Sequence, residues 1–208
     1  MPTFENRDPS SPGFWTERFE HRFTPWDQGG TPRALKEFVA NSRRPLITLI
    51  PGCGVGYEVA YLSEAGWDVT AIDFSPAAVA AARDALGPWA KNVVEADFFT
   101  FAPPKPVDFI YERAFLCALP RRLWPRAARR WAELLAPGGL LAGFFYFNDD
   151  PKGPPFGIAP AELDALLTPH FERVENSAAT DSIPIFAGKE YWQVWRRLPP
   201  QAAASRFA

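Results

Sequence analysis

Three glycines, Gly52, Gly54 and Gly56, follow the apolar run LITLI and lead straight into a helical stretch. The chemistry such a place supports is ligand binding, because glycine lets the backbone turn tightly and lets a bound group approach where a Cβ would stand. The run reads G-x-G-x-G and lacks the G-x-G-x-x-G spacing of dinucleotide sites, which points to a cofactor without a pyrophosphate. Asp73 ends the next apolar run about twenty residues on, where a carboxylate can accept both hydroxyls of a ribose. Asp97 and Phe98 follow a third short run, placed to offer an acceptor to an adenine amino group and an apolar wall to its ring. Each has a plainer reading: a glycine-rich turn that holds nothing, a helix cap at Asp73, and core aromatics at Phe98 and Phe99. The second is weakened by Ser75, which already stands as the cap of the helix after Asp73.

These residues have to be positioned by strands and helices in alternation. From Leu46 onward short apolar runs alternate with helical stretches, the pattern of βαβ units and a parallel sheet. Strands are expected at 46–50, at DVTAI running up to Asp73, at 92–95, at VDFIYE and at LLAGFFYF, with two more at about 171–176 and 191–197. Helices are expected at YEVAYLSEAG, at SPAAVAAARDAL with Pro76 in its first turn, at about 122–136 and at about 161–167, and the PGG of 137–139 reads as a turn. Ahead of the first strand lies an arm dense in aromatics, Phe14, Trp15, Phe19, Phe23 and Trp26. Its spacing suits a short helix through Phe19 that Thr24-Pro25 stops, and a second helix runs from Thr31, as cap, to about Val39. So much aromatic surface seldom stays in water, so the arm is expected to fold back as a lid.

Composition bounds the answer. At 208 residues with 47% hydrophobic and 15% aromatic residues, the chain can build one core without staples, and it reads as a single domain: a lid at about 10–40, a core at about 45–197 and a frayed tail at 198–208. A net charge of −2 gives no broad positive field for nucleic acid or anionic lipid. No apolar run is long enough to span a bilayer and no secretory leader precedes the arm, so the expectation is a cytoplasmic monomer. Two cysteines, Cys53 and Cys117, and two histidines, His21 and His170, form no metal-type or redox pattern, so no metal is expected.

TPWDQGGTP, PGCGVGYE, AIDFSP, DFFTF, YERAFLCALP and KGPPF occur in this order along the chain. In that order and at about that spacing the chain resembles the thiopurine S-methyltransferase-like family, which includes thiol and halide methyltransferases, from about Phe14 to Arg197. The resemblance implies an α/β, Rossmann-like fold with a seven-stranded, mostly parallel sheet, helices on both faces and an N-terminal helical lid. It implies S-adenosyl-L-methionine (SAM) as cofactor and a small-molecule acceptor as partner. By matching positions, Trp15, Phe19 and Trp26 would supply arm aromatics to the cofactor pocket. Gly52, with Gly54 beside it, would be the loop glycine, Asp73 the ribose acceptor, and Asp97 and Phe98 the adenine-proximal pair. Aromatic faces attract a sulfonium cation by about 0.5–2 kcal/mol each once water is excluded. Phe19 stands where some relatives carry a tryptophan, so a full aromatic cage is not implied.

The acceptor side follows from the same frame. Arg113 ends the fourth strand, on the edge of an open α/β sheet that faces the cofactor crevice, so it is expected to contact the cofactor, and its guanidinium can steady a thiolate or an anionic ring nitrogen on the acceptor side. The family's thiopurine enzymes carry arginine there, whereas plant halide-type relatives tend to carry tyrosine, which turns the expected acceptor toward a thiol, sulfide or thione and leaves halide or chalcogen as the alternative. A structural ion pair of Arg113 with Glu112 or Asp73 is the plainer reading. Asp149 and Asp150 stand where they could orient a thiol or take its proton, though loop acids beside Pro and Gly are also ordinary turn formers. Cys117 reads as a small buried hydrophobe, and the Arg-rich helix as a solvated face. From other classes, a nicotinamide oxidoreductase conflicts with the glycine spacing, and a SAM-binding module without transfer would keep the crevice and lack the acceptor pocket.

Overall fold

The computed structural model describes residues 3–27 and 29–199, so 200–208 of the expected tail lie outside it. Its centre is a seven-stranded sheet formed by β1 (Ile47–Pro51), β2 (Asp68–Asp73), β3 (Val93–Glu95), β4 (Val107–Arg113), β5 (Leu135–Tyr146), β6 (Phe171–Ala178) and β7 (Glu190–Arg197), in the order β3-β2-β1-β4-β5-β7-β6. The first five are parallel, and β7 inserts antiparallel between β5 and β6. Among the described residues six α-helices accompany them: α1 (Pro12–Glu20), α2 (Arg33–Asn41), α3 (Tyr57–Glu64), α4 (Pro76–Leu86), α5 (Trp124–Leu134) and α6 (Pro160–Leu167).

Strands in the middle of such a sheet are covered on both faces, which is why they read as continuous apolar runs. Successive residues alternate between two cores. Leu49, Ile72, Ile110, Leu141, Phe145 and Trp195 pack with α5 and α6 through Trp131 and Leu163. Ile50, Ala71, Phe109, Tyr111, Phe144 and Trp192 pack on the other face with α2, α3 and α4 through Leu35, Leu62 and Val79. Burying that apolar surface on two faces, at roughly 25 cal/mol per Å², drives the layered arrangement.

Local signals set the helix ends. Ser75 caps α4, its Oγ accepting the Ala78 N–H at 3.3 Å with Pro76 in the first turn. In α5, Trp124, Ala127, Ala128 and Trp131 face inward, and Arg126 and Arg129 face solvent. Two expectations are corrected. Thr31 does not cap α2: Pro32 holds the cap position without a side-chain hydrogen bond, and the Thr31 hydroxyl donates to the Tyr57 carbonyl at 3.4 Å, tying the arm to α3. The PGG segment does not precede β5 but lies within it. Val107 pairs with Leu135 and Phe109 with Leu140, so residues between bulge out, with Gly138 at a φ of +79° that favours glycine.

Among the described residues no helix is long and apolar enough to cross a membrane.

Candidate functional site

The carboxyl ends of β1, β2 and β4 open into one cavity of about 980 Å³. Its floor is the glycine loop. Gly52 and Gly54 have φ of +62° and +53°, and a Cβ on Gly52 would come within 2.8 Å of the Phe115 ring. Any other residue at Gly52 would therefore meet both backbone strain and a clash. Asp73 clasps this loop: its Oδ2 accepts the Gly54 N–H at 3.2 Å and its Oδ1 accepts the Ser75 N–H at 2.9 Å. Asp73 is 8% exposed. Burial pushes its pKa up to about 6, against the pull of the backbone N–H groups it accepts from. Farther toward β3, Asp97 is exposed and accepts the Phe99 N–H at 2.8 Å. Phe98 is buried and packs edge-on against Phe115 at 4.9 Å, so it serves the core and the cavity wall together.

The arm forms the opposite wall. Thr16 and Ser75 hydroxyls meet at 3.0 Å, fixing α1 over the start of α4. The Trp15 indole donates to the Pro9 carbonyl at 2.9 Å, and Trp26 packs edge-on against both Trp15 and Phe19. All three aromatics line the cavity.

Arg113 lines it at the end of β4, with its guanidinium 4.7 Å from the Phe144 ring centre. Its acidic neighbours are Glu58, Glu112 and Glu190; burial raises the pKa of each, and the Arg113 charge partly offsets that rise. Glu112 has a second task. It is 1% exposed, and its Oε1 accepts both the Phe115 N–H at 2.9 Å and the Leu116 N–H at 3.0 Å. These bonds clamp the elbow at Ala114, which sits at a φ of +54°. Burial raises the Glu112 carboxyl to a pKa of about 8.

Beyond the elbow the cavity turns apolar. Cys117, Tyr146 and Phe186 form a buried cluster against which Trp26, Ala114 and Ile183 pack; of these Trp26, Ala114, Cys117 and Phe186 line the cavity, together with Pro154 and Pro155. Both cysteines are buried, and burial pushes their thiols up, so neither serves as a thiolate nucleophile.

The structure thus brings Trp15, Phe19, Trp26, Gly52, Gly54, Asp73, Asp97, Phe98 and Arg113 to one cavity. It does not bring Asp149 and Asp150 there: both are exposed outside the wall, and Asp150 accepts the Lys152 N–H at 2.9 Å in a local turn. Sequence reasoning missed Glu58, the first-turn acid of α3, which lines the cavity and accepts from the Tyr111 hydroxyl at 3.4 Å. It also missed Phe186, which nothing in the chain marks beforehand. Among the described residues no group of His, Cys, Asp and Glu could hold a metal ion.

A family model described as thiopurine S-methyltransferase (TPMT) matches residues 10–198. The chain belongs to that family. Thiocyanate methyltransferase 1 of Arabidopsis thaliana is 32% identical to it over 193 residues, covering 89% of this chain and 85% of that protein. A probable thiol methyltransferase 2 of the same plant is 32% identical over 166 residues, covering 77% and 74%. The fold is shared with 1,6-didemethyltoxoflavin-N1-methyltransferase of Burkholderia thailandensis, solved with 1,6-didemethyltoxoflavin and S-adenosylhomocysteine, at a TM-score of 0.73 and 19% identity over 95% of this chain and 94% of that one. As a member of the thiopurine S-methyltransferase family the chain is a SAM-dependent methyltransferase. Its residues fit that cofactor: a side-chain-free loop clasped by a buried carboxyl at one end, acids beside the loop, and aromatic faces overhead suit a nucleoside joined to a cationic sulfur.

Proposed function

We propose that this methyltransferase acts on a small soft nucleophile, a thiol, sulfide or thiopurine-like thione. The observation that carries the reading is the passage of one cavity from the Asp73-clasped glycine loop to an apolar end whose polar side-chain group at the strand edge is Arg113. SAM supplies the methyl group on an electrophilic sulfonium. Soft anions attack such carbon well, so the protein needs to place the acceptor and exclude water more than it needs a strong base. Arg113 is suited to hold a thiolate by charge and to favour its ionised form. Trp26, Phe186 and the Pro154-Pro155 pair are suited to strip water from it. On this reading Trp15, Phe19 and Trp26 close as a lid over the donor, Asp73 accepts its ribose hydroxyls, Asp97 and Phe98 flank its adenine, and the chain works in the cytoplasm as one domain and as a monomer.

A second acceptor class, thiocyanate or halide, is favoured by the identity to the Arabidopsis protein named for thiocyanate. Mass spectrometry of products from SAM with ethanethiol, hydrosulfide, thiocyanate, iodide and 6-mercaptopurine separates the two. S-methylated thiols are expected to dominate, and Arg113→Ala is expected to lower thiol turnover by about tenfold or more while SAM affinity stays within about twofold. Methylation of iodide and thiocyanate alone would replace the thiol reading with the second. SAM binding with no methylated product would reduce the chain to a binding module.

A further inference from the structure

The order of strands orders the cavity. Asp97 follows β3, Asp73 ends β2, Gly52 follows β1 and Arg113 ends β4, so the wall crosses the sheet from the carboxyl-clasped loop toward the apolar cluster of Cys117 and Phe186, which Tyr146 at the end of β5 backs from outside the cavity. Because β7 runs antiparallel beside β5, the segment leading into it arrives at this same edge. That segment carries Phe186. The residue is 4% exposed although it lines the cavity, so its ring fills a slot in the protein and does not stand free in the opening. The ring lies 5.2 Å from that of Tyr146. Its backbone is fixed at both ends of a tight turn, donating to the Ile183 carbonyl at 2.9 Å and receiving the Lys189 N–H at 2.9 Å. Cys117 belongs to the same buried cluster, and Trp26 packs against that cluster.

We propose that Phe186 is the residue that closes the acceptor end and sets acceptor size, which narrows the acceptor class proposed above to compact aliphatic thiols and hydrosulfide and leaves out fused aromatic thiols, the thiopurine-like thione included. A side chain held by a turn and by a ring partner cannot swing aside for a larger guest without breaking packing that close-packed interiors resist. The adjacent Ile185 also lines the cavity but is 43% exposed, so it does not fill a slot as Phe186 does. The inference rests on the methyl-acceptor reading of this end of the cavity.

The test compares ethanethiol with 2-naphthalenethiol in wild type, Phe186→Ala and Phe186→Leu. It measures kcat/KM and, separately, calorimetric affinity of each thiol for protein saturated with S-adenosylhomocysteine. Wild type is expected to favour ethanethiol, and Phe186→Ala to shift the ratio toward the aryl thiol by about tenfold or more, with Leu between them. Unfolding midpoints near wild type in the leucine variant guard against a merely unfolded alanine one. The same shift in binding without turnover would support the wall while removing the thiol-transfer reading. An unchanged ratio in both measurements, in folded variants that still bind SAM, would overturn the wall and leave methyl transfer standing. So would a wild type that takes the aryl thiol as well as it takes ethanethiol.

Discussion

Asp73 shows how much one buried carboxyl constrains. It accepts N–H groups from the glycine loop and from the cap of α4, so a change there moves both walls of the donor site. With a pKa raised to about 6, it is ionised at neutral pH and protonated in mild acid. On the proposed reading the ionised form accepts the donor's ribose hydroxyls, so SAM affinity is expected to fall as pH drops through about 6, approaching tenfold per pH unit at the limit. Titration calorimetry between pH 8 and pH 5 reads this directly. Asp73→Asn is expected to bind SAM about tenfold more weakly at pH 8 and to show little change through pH 6. An equally steep decline in the variant would place the titrating group elsewhere. Asp73, Gly52 and Gly54 were legible in the sequence because strand, turn and helix are neighbours along the chain, and local spacing dictates local geometry. Glu58 lay in the same legible string, yet its role depends on Tyr111 and Arg113 from another strand. Phe186 depends on β7 running backward beside β5, which no spacing states.

At the scale of elements, the arm differs from the rest. The buried aromatic of α1, Phe14, belongs to neither of the two sheet cores; it stacks under the Arg18 guanidinium at 3.2 Å and against Trp15 at 4.9 Å. The arm is held by packing of α1 along α4, by the Thr16–Ser75 contact, by Arg122 donating to Ser10, by the Tyr57 hydroxyl donating to Asp27, by the Thr31–Tyr57 bond and by Trp26 on the acceptor-end cluster, all of them at its surface and none in the two sheet cores. A segment with so little share in the core has low local stability and gains most from a ligand beneath it. Deleting residues 3–27 is therefore expected to lower the unfolding midpoint by only about 2–8 °C. It should weaken SAM affinity by at least about tenfold, the worth of one or two desolvated aromatic faces on a cation. Hydrogen exchange at Pro12–Glu20 in the full chain should slow on adding SAM. A truncated, folded protein that binds SAM as tightly as the full chain would show that the arm is mere cover. Sequence periodicity was sound on element type and weaker on ends. Thr31 has the residue type of a cap but is drawn off by the Tyr57 carbonyl, and the PGG turn is absorbed because β4 pairs with residues on both sides of it.

For the whole molecule, the net charge of −2 hides a concentration of acids where the strands end. Glu58, Asp73, Glu112 and Glu190 are all buried near that edge, and each has its pKa raised by loss of water. Composition alone does not reveal this, since the four come from four different elements and meet only in the fold. The consequence is a dependence of stability on pH opposite in sign to that of a salt-bridged carboxylate. Glu112 keeps its proton in the folded protein up to about pH 8, whereas in the unfolded chain it ionises near its ordinary value of 4.5. Between these values the folded state binds more protons, so the stability it contributes is complete below about pH 4.5 and is lost as pH rises toward 8. Glu112→Gln keeps an oxygen to accept from Phe115 and Leu116 and removes the ionisation. Its own cost is a buried amide at Oε2, a position that lacks a hydrogen-bond partner, and that cost does not vary with pH. The stability of the variant relative to wild type should thus improve by about 2 kcal/mol from pH 6 to pH 9, or ~4–8 °C in the relative unfolding midpoint. Differential scanning calorimetry on both proteins across that range gives the comparison, and a constant gap would mean that the Glu112 carboxyl is already ionised in the folded protein at pH 6.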